Sequence, residues 1–124
     1  SCVEVFLNPN ESEGNRYFNF ELNAAGVLHL QFGDERCRKD IDDVEFEIFQ
    51  IETKISNQGW EARLVVPFSF LRLYYTDLKD EWRANFYKCG DRTEKPHYIC
   101  WEEIPTERPS FHQSKYFGRI RFEK

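Results

Sequence analysis

Residues 16–32 read RYFNFELNAAGVLHLQF, and this stretch decides the fold. Phe18, Phe20 and Leu22 alternate with Tyr17, Asn19, Glu21 and Asn23. A period of two sends one set to each face of an extended chain, the pattern of a half-buried strand. Ala24-Ala25-Gly26 makes a tight connection, and Val27 to Phe32 resumes as a second strand. The two strands form a hairpin.

The same period runs outward in both directions. Cys2 to Leu7 (CVEVFL) is a strand with Glu4 among apolar neighbours, and Asn8 to Asn15 is a turn by composition. Gly33 to Asp43 (GDERCRKDIDD) is polar and lacks the regular oxygen-ligand spacing of an EF-hand calcium loop, so it reads as a solvated loop. Val44 to Glu52 begins in strict alternation. The apolar role then passes from Val44, Phe46 and Ile48 to Phe49 and Ile51, which predicts a strand with a β-bulge. Gly59 to Val66 is a strand with Trp60, Ala62, Leu64 and Val66 inward, stopped by Pro67, which has no N–H to donate. Pro67 to Leu73 is long enough for a single helical turn. Glu81 to Cys89 is a strand with Trp82, Ala84 and Phe86 on one side and Arg83, Asn85 and Tyr87 on the other. Tyr98 to Trp101 pairs back as a short strand, and Phe117 to Glu123 closes the sheet. About eight short strands with no long amphipathic helix predict an all-β fold, an antiparallel β-sandwich or barrel.

Composition narrows the function classes. A chain of 124 residues suits one domain, 1–124, and 40% hydrophobic content permits a core. No run reaches the ~20 apolar residues of a membrane span, and no basic and apolar leader opens the chain. The chain begins directly on a strand and contains no Met, which reads as the later part of something longer. The formal charge of -5, with Arg and Lys scattered among more numerous acids, argues against the basic patch of a nucleic-acid binder. An acidic surface suits neutral polyols or cations better.

The remaining chemistry-bearing residues form no motif. Cys2, Cys37, Cys89 and Cys100 contain no CxxC pair, so a zinc site is poorly supported. Neighbouring strands could carry Cys89 and Cys100, but spacing alone does not set them opposite each other. Four small, mostly buried thiols is the expectation, with a disulfide as the alternative. His29, His97 and His112 are far apart, and His29 sits mid-strand as a structural residue. No GxSxG, HExxH, Walker-type or GxGxxG motif occurs. The absence of Met rules out a Met/His haem pair within the chain. Glu4 and Glu21 would serve a glycoside hydrolase only at the right separation, and nothing in the sequence marks a deep cleft.

One polar face stands out. Glu4, then Asn19, Glu21 and Asn23, then Asn85 and Tyr87 each point away from the apolar residues of their strands. In one sheet they would build a surface of carboxylates, amides and a phenol. Such groups match sugar hydroxyls, which both donate and accept. Phe111 or Trp101 at the rim would cover a sugar ring's C–H face. A solvated sheet face fits the same alternation.

Taken in order, CVEVFLNP, YFNFELNAAG, RANFYKCGD, YICWEEIP and PSFHQSKYFGRIRF resemble the motifs of the family 9-like carbohydrate-binding modules. The NFYKCGD and FHxxxxFG pieces are the specific ones. The resemblance implies a jelly-roll-like β-sandwich in secreted, periplasmic or cell-surface bacterial proteins, often beside glycoside hydrolases. It implies that residues 1–124 are the C-terminal majority of the module, with strands before Ser1. In the sugar-binding archetype the ligand lies between two aromatic rings. One ring would precede Ser1, and the other falls at Phe111, where the archetype has Trp. Glu4 matches the family's sugar-contacting carboxylate. Glu21 and Tyr87 match polar contact positions at which the archetype carries other side chains, and Trp101 matches a framework Trp. Some relatives hold structural calcium, for which no ligand set is legible here, and no other cofactor is implied.

The expectation is a non-catalytic carbohydrate binder whose partners are a polysaccharide or oligosaccharide and other domains of the same polypeptide. Glu4, Glu21, Asn85 and Tyr87 are expected as polar contacts, Phe111 as the stacking platform and His112 as a rim hydrogen-bonder. The alternatives are a structural accessory domain of a glycoside hydrolase that binds no sugar, and a glycoside hydrolase itself.

Overall fold

The hairpin of residues 16–32 is present in the computed structural model, which describes residues 1–123. Its strands are β2 (Tyr17–Asn23) and β3 (Leu28–Gly33), paired antiparallel with Phe20 opposite Leu30. Around it stand β1 (Cys2–Asn8), β4 (Arg38–Asp40), β7 (Glu81–Gly90), β8 (His97–Cys100) and β9 (Gly118–Arg121). They join in the order β4-β3-β2-β1-β7-β8, with β9 also on β7, and every pairing is antiparallel. β5 (Glu52–Ser56) and β6 (Gly59–Arg63) make a separate hairpin.

The apolar residues of the alternation meet on one face of the main sheet. Leu7 of β1, Phe18, Phe20 and Leu22 of β2, Leu28 and Leu30 of β3, and Trp82 and Ala84 of β7 are buried together. Phe49, Phe70 and Leu71 cap them from residues 44–75, with Leu64 and Val66 packed alongside, and so supply the second layer of the sandwich. Each fully buried large side chain there contributes about 1.5–3 kcal/mol relative to exposure. The predicted helical turn is α1 (Phe68–Leu71), which carries two of the capping residues.

Three local expectations are corrected. Val44 to Glu52 is not a bulged strand. Phe46–Phe49 is a 3-10 turn, Gln50 takes a left-handed φ of 46°, and β5 begins only at Glu52. The phase change therefore marks a reversal of the chain. β6 ends at Arg63, Ala62 is exposed and Trp60 is only half-buried, so inward packing starts at Leu64. The polar stretch 33–43 holds β4. Its entry requires Gly33, at φ 148°, because a side chain there would run into the backbone of Cys37 and Arg38.

The other face of the sheet departs most from expectation. It is not simply solvated: Phe6, Tyr17, Tyr87 and Phe117 form a second buried cluster, with Cys100, Ile104 and Phe111 packed against it. The C-terminal segment that includes Phe111 and Phe117 thus covers part of the face on which Glu4 and Glu21 lie.

Candidate functional site

The register aligns one row of side chains across five strands. His29 is opposite Glu21, Glu21 opposite Glu4, Glu4 opposite Tyr87, and Tyr87 opposite Cys100. All lie on the face away from the apolar core. Glu4 is in the middle and only 8% exposed. Burial, and then the charge of Glu21, push its carboxyl up to about 7. Two carboxylates facing each other across neighbouring strands repel, so holding a proton near neutrality relieves the pair. Glu21 is half-buried, and His29 Nδ1 lies 3.8 Å from it while His29 Nε2 is 3.0 Å from Asp40.

Residues 109–112 form the wall of the site. The Phe111 ring stacks on Tyr87 with centroids 4.3 Å apart and planes 23° from parallel. The Tyr87 hydroxyl donates to the Phe111 carbonyl at 3.1 Å, which fixes the backbone as well as the ring. Tyr98 of β8 meets the same ring edge-on at 6.2 Å. His112 lies 4.8 Å from the Phe6 ring, and its Nδ1 is 2.9 Å from the Tyr17 hydroxyl. Burial, reinforced by Arg38, holds its imidazole pKa down to about 4, so it is neutral at physiological pH. Glu4, Cys89, Tyr98 and residues 109–112 enclose a cleft of about 370 Å³.

Glu4, Phe111 and His112 therefore converge on one cleft, while Glu21 lies beside Glu4 on the same sheet face but does not line the cleft. Tyr87 is 4% exposed and its phenol is taken by Phe111, so it supports the platform from beneath. Asn85 is a correction to the expected polar contacts, because its side chain has 0% exposure. Its amide donates to the Glu102 carbonyl at 3.1 Å and accepts from the Glu102 N–H at 2.9 Å and the Phe86 N–H at 2.9 Å. An amide joined this way to a peptide unit mimics a strand pairing, and it anchors the segment that leads to residues 109–112. Trp101 stands outside the cleft, 49% exposed and edge-on to the exposed Phe86 at 5.5 Å, so it belongs to neither buried cluster.

Cys89, Tyr98 and Ser110 reach the cleft as well, although the sequence did not mark them for it. Cys89 shares the outward phase of Asn85 and Tyr87, so that signal was in the strand; the contribution of Ser110 depends on how the loop folds back. The cysteines are less buried than expected: Cys37 is exposed and the other three are half-buried. Cys89 and Cys100 are on paired strands but offset, Cys89 facing Tyr98 and Cys100 facing Tyr87. Among the described residues, no group of three or more His, Cys, Asp or Glu is placed to hold a metal ion, and no helix is long and apolar enough to cross a membrane.

Comparison with known proteins adds the family. The model of carbohydrate-binding family 9 matches residues 1–122. The chain is also similar to the crystal structure of a candidate carbohydrate-binding protein from Bacteroides uniformis ATCC 8492. The two are 32% identical with a TM-score of 0.78, over 99% of this chain and 61% of that one. No curated protein matches the chain. A match over nearly the whole chain, on a sandwich with this cleft, makes the chain a member of carbohydrate-binding family 9.

Proposed function

We propose that the chain is a non-catalytic module that binds a polysaccharide or oligosaccharide in the cleft between Glu4 and Phe111. The observation that carries this reading is the half-buried Phe111 ring, stacked on Tyr87 and held through its own carbonyl, beside a buried carboxyl. A ring fixed in place presents a flat apolar surface at little entropic cost, as suits the C–H face of a sugar. Glu4 and Glu21 take the hydroxyls. With Glu4 holding a proton, the pair both donates and accepts, which matches the dual character of a hydroxyl. Neutral His112 adds a hydrogen bond at the rim. Asn85 and Tyr87 act by positioning the loop rather than by touching the sugar.

A hydrolase reading fares worse on geometry. Glycosidases place their two carboxyl groups on either side of the scissile bond. Glu4 and Glu21 are cross-strand neighbours with both side chains on the same face of the sheet. We propose further that the module is secreted, periplasmic or displayed at a bacterial cell surface, where it serves other domains such as a glycoside hydrolase.

The test is retention on a panel of insoluble and soluble glycans, with Phe111→Ala set beside Trp101→Ala. Loss of a central aromatic anchor commonly removes 2 kcal/mol or more of binding energy, about thirtyfold. Phe111→Ala is expected to lose that much and Trp101→Ala to bind normally. Equal retention by Phe111→Ala and the parent would remove the platform from the account.

A further inference from the structure

The pairing that sets Glu4 opposite Tyr87 also sets Cys2 directly opposite Cys89. Both cysteines are two residues along their strands from that pair, so both side chains emerge on the cleft face. Directly opposed residues of an antiparallel pair have Cα atoms about 4.5 or 5.5 Å apart, inside the roughly 4.4–6.8 Å range of disulfides. No other pairing of the cysteines fits as well. Cys100 is diagonal to Cys89 at roughly 7–8 Å. Cys37 immediately precedes β4, three strands from β1 in the sheet, and adjacent strands are about 4.8 Å apart. Cys2 and Cys89 are both free and half-buried, and Cys89 lines the cleft.

We propose that Cys2 and Cys89 are a redox pair that closes to a cross-strand disulfide, stapling β1 to β7 beside Glu4. The two thiols are unequal in the reaction. Burial and the nearby Glu21 and Glu4 charges push the Cys2 thiol up to about 12, so Cys89 is the first to attack. With glutathione disulfide as oxidant, the Cys89 thiolate displaces one glutathione thiolate and forms a mixed disulfide. Cys2 then gives up its proton to solvent and attacks the Cys89 sulfur, releasing the second glutathione. One oxidant molecule is reduced to two thiols, and the protein loses two hydrogens. The disulfide joins residues far apart in sequence and constrains the unfolded chain accordingly. This inference does not depend on sugar binding.

The experiment is non-reducing peptide mapping of the folded protein after incubation with glutathione disulfide. Tryptic fragments 1–16 and 89–92 are expected to co-migrate as one species that dithiothreitol separates. Oxidation is expected to raise the thermal midpoint by on the order of 10 °C in the parent and in Cys37→Ser, but not in Cys89→Ser. The proposal is overturned if both cysteines stay reduced, if each carries its own glutathione, or if Cys89 is found joined to Cys100. The mapping uses the unaltered chain, so its outcome does not depend on how well any variant folds.

Discussion

The main sheet buries one face fully and part of the other, and it does so by opposite means. One face presents Phe18, Phe20, Leu22, Leu28 and Leu30 to a second layer, and few polar atoms enter. The other combines Phe6, Tyr17 and Tyr87 with Asn19, Asn85 and Glu4 under the C-terminal segment. On the first face burial is close to pure gain. On the second, each polar group requires a partner, because a buried polar group without one costs free energy. Asn85 has found Glu102, Tyr87 has found Phe111 and Tyr17 has found His112. Glu4 has the Asn19 side chain as a partner, together with the like-charged Glu21 across the strand pair. This face therefore joins partnered polar groups to a raised carboxyl and a buried Asn19 oxygen that has no partner among the described residues.

The contrast is sharpest when one large residue is removed from the apolar face. Phe20→Ala is expected to cost 3–5 kcal/mol in denaturant unfolding, about what large-to-small changes of aromatic core residues cost. Phe20 is 1% exposed and packs against Phe49 and Phe18, so little relaxation is available to it. A loss of under 1 kcal/mol would mean that residues 44–75 do not form a tight second layer.

Protonation divides the faces next. The Glu4 carboxyl is raised to about 7, so the folded chain holds a proton that the unfolded chain has released above about 4.5. Its contribution to stability is therefore complete at low pH and disappears as pH rises through 7. The shift corresponds to on the order of 3 kcal/mol at most. His112 acts in the opposite direction. Its pKa is held down to about 4, so the unfolded chain takes up a proton first, and stability falls as pH drops from about 6.5 to 4. The two slopes oppose each other over the acid range where both apply. Glu4→Gln should leave stability rising with pH across that range, and His112→Gln should leave it falling toward pH 7. Parallel pH profiles of urea midpoints would show the divergence, and identical profiles would contradict it.

The smallest of these effects falls on a residue buried opposite Phe6 that does not line the cleft. Asn85→Ala leaves both the Glu102 N–H and its carbonyl unpaired, which is expected to cost about 1–3 kcal/mol. It should also weaken glycan retention indirectly, by loosening the approach to Phe111. A variant that unfolds like the parent would show that Glu102 is held by other means.

Much of this was legible in the sequence, for identifiable reasons. The hairpin followed from strict alternation over Tyr17 to Asn23 and the short Ala-Ala-Gly link, both local signals. The segment 44–52 failed because Phe46 and Phe49 fit an i, i+3 turn as well as an interrupted alternation, and short apolar runs do not distinguish the two. β1 carried a signal that was read only in part. Val3, Val5 and Leu7 lie on one face and Phe6 on the other, the mark of a strand covered on both sides. The role of Asn85 was hidden because its partner, Glu102, is a backbone group on another segment. The adjacency of Glu4 and Glu21 required the register between β1 and β2, which alternation alone does not set.

Carbohydrate is expected to meet the cleft face and not the apolar face. The most direct measurement is a backbone-amide NMR titration with a glycan that the panel identifies as retained. The amides of Glu4, Cys89, Tyr98, Ser110 and Phe111 should shift together and saturate at one concentration, while those of Phe68 to Leu71 stay fixed. Shifts confined to β5, β6 or α1, with the cleft residues unmoved, would contradict the account.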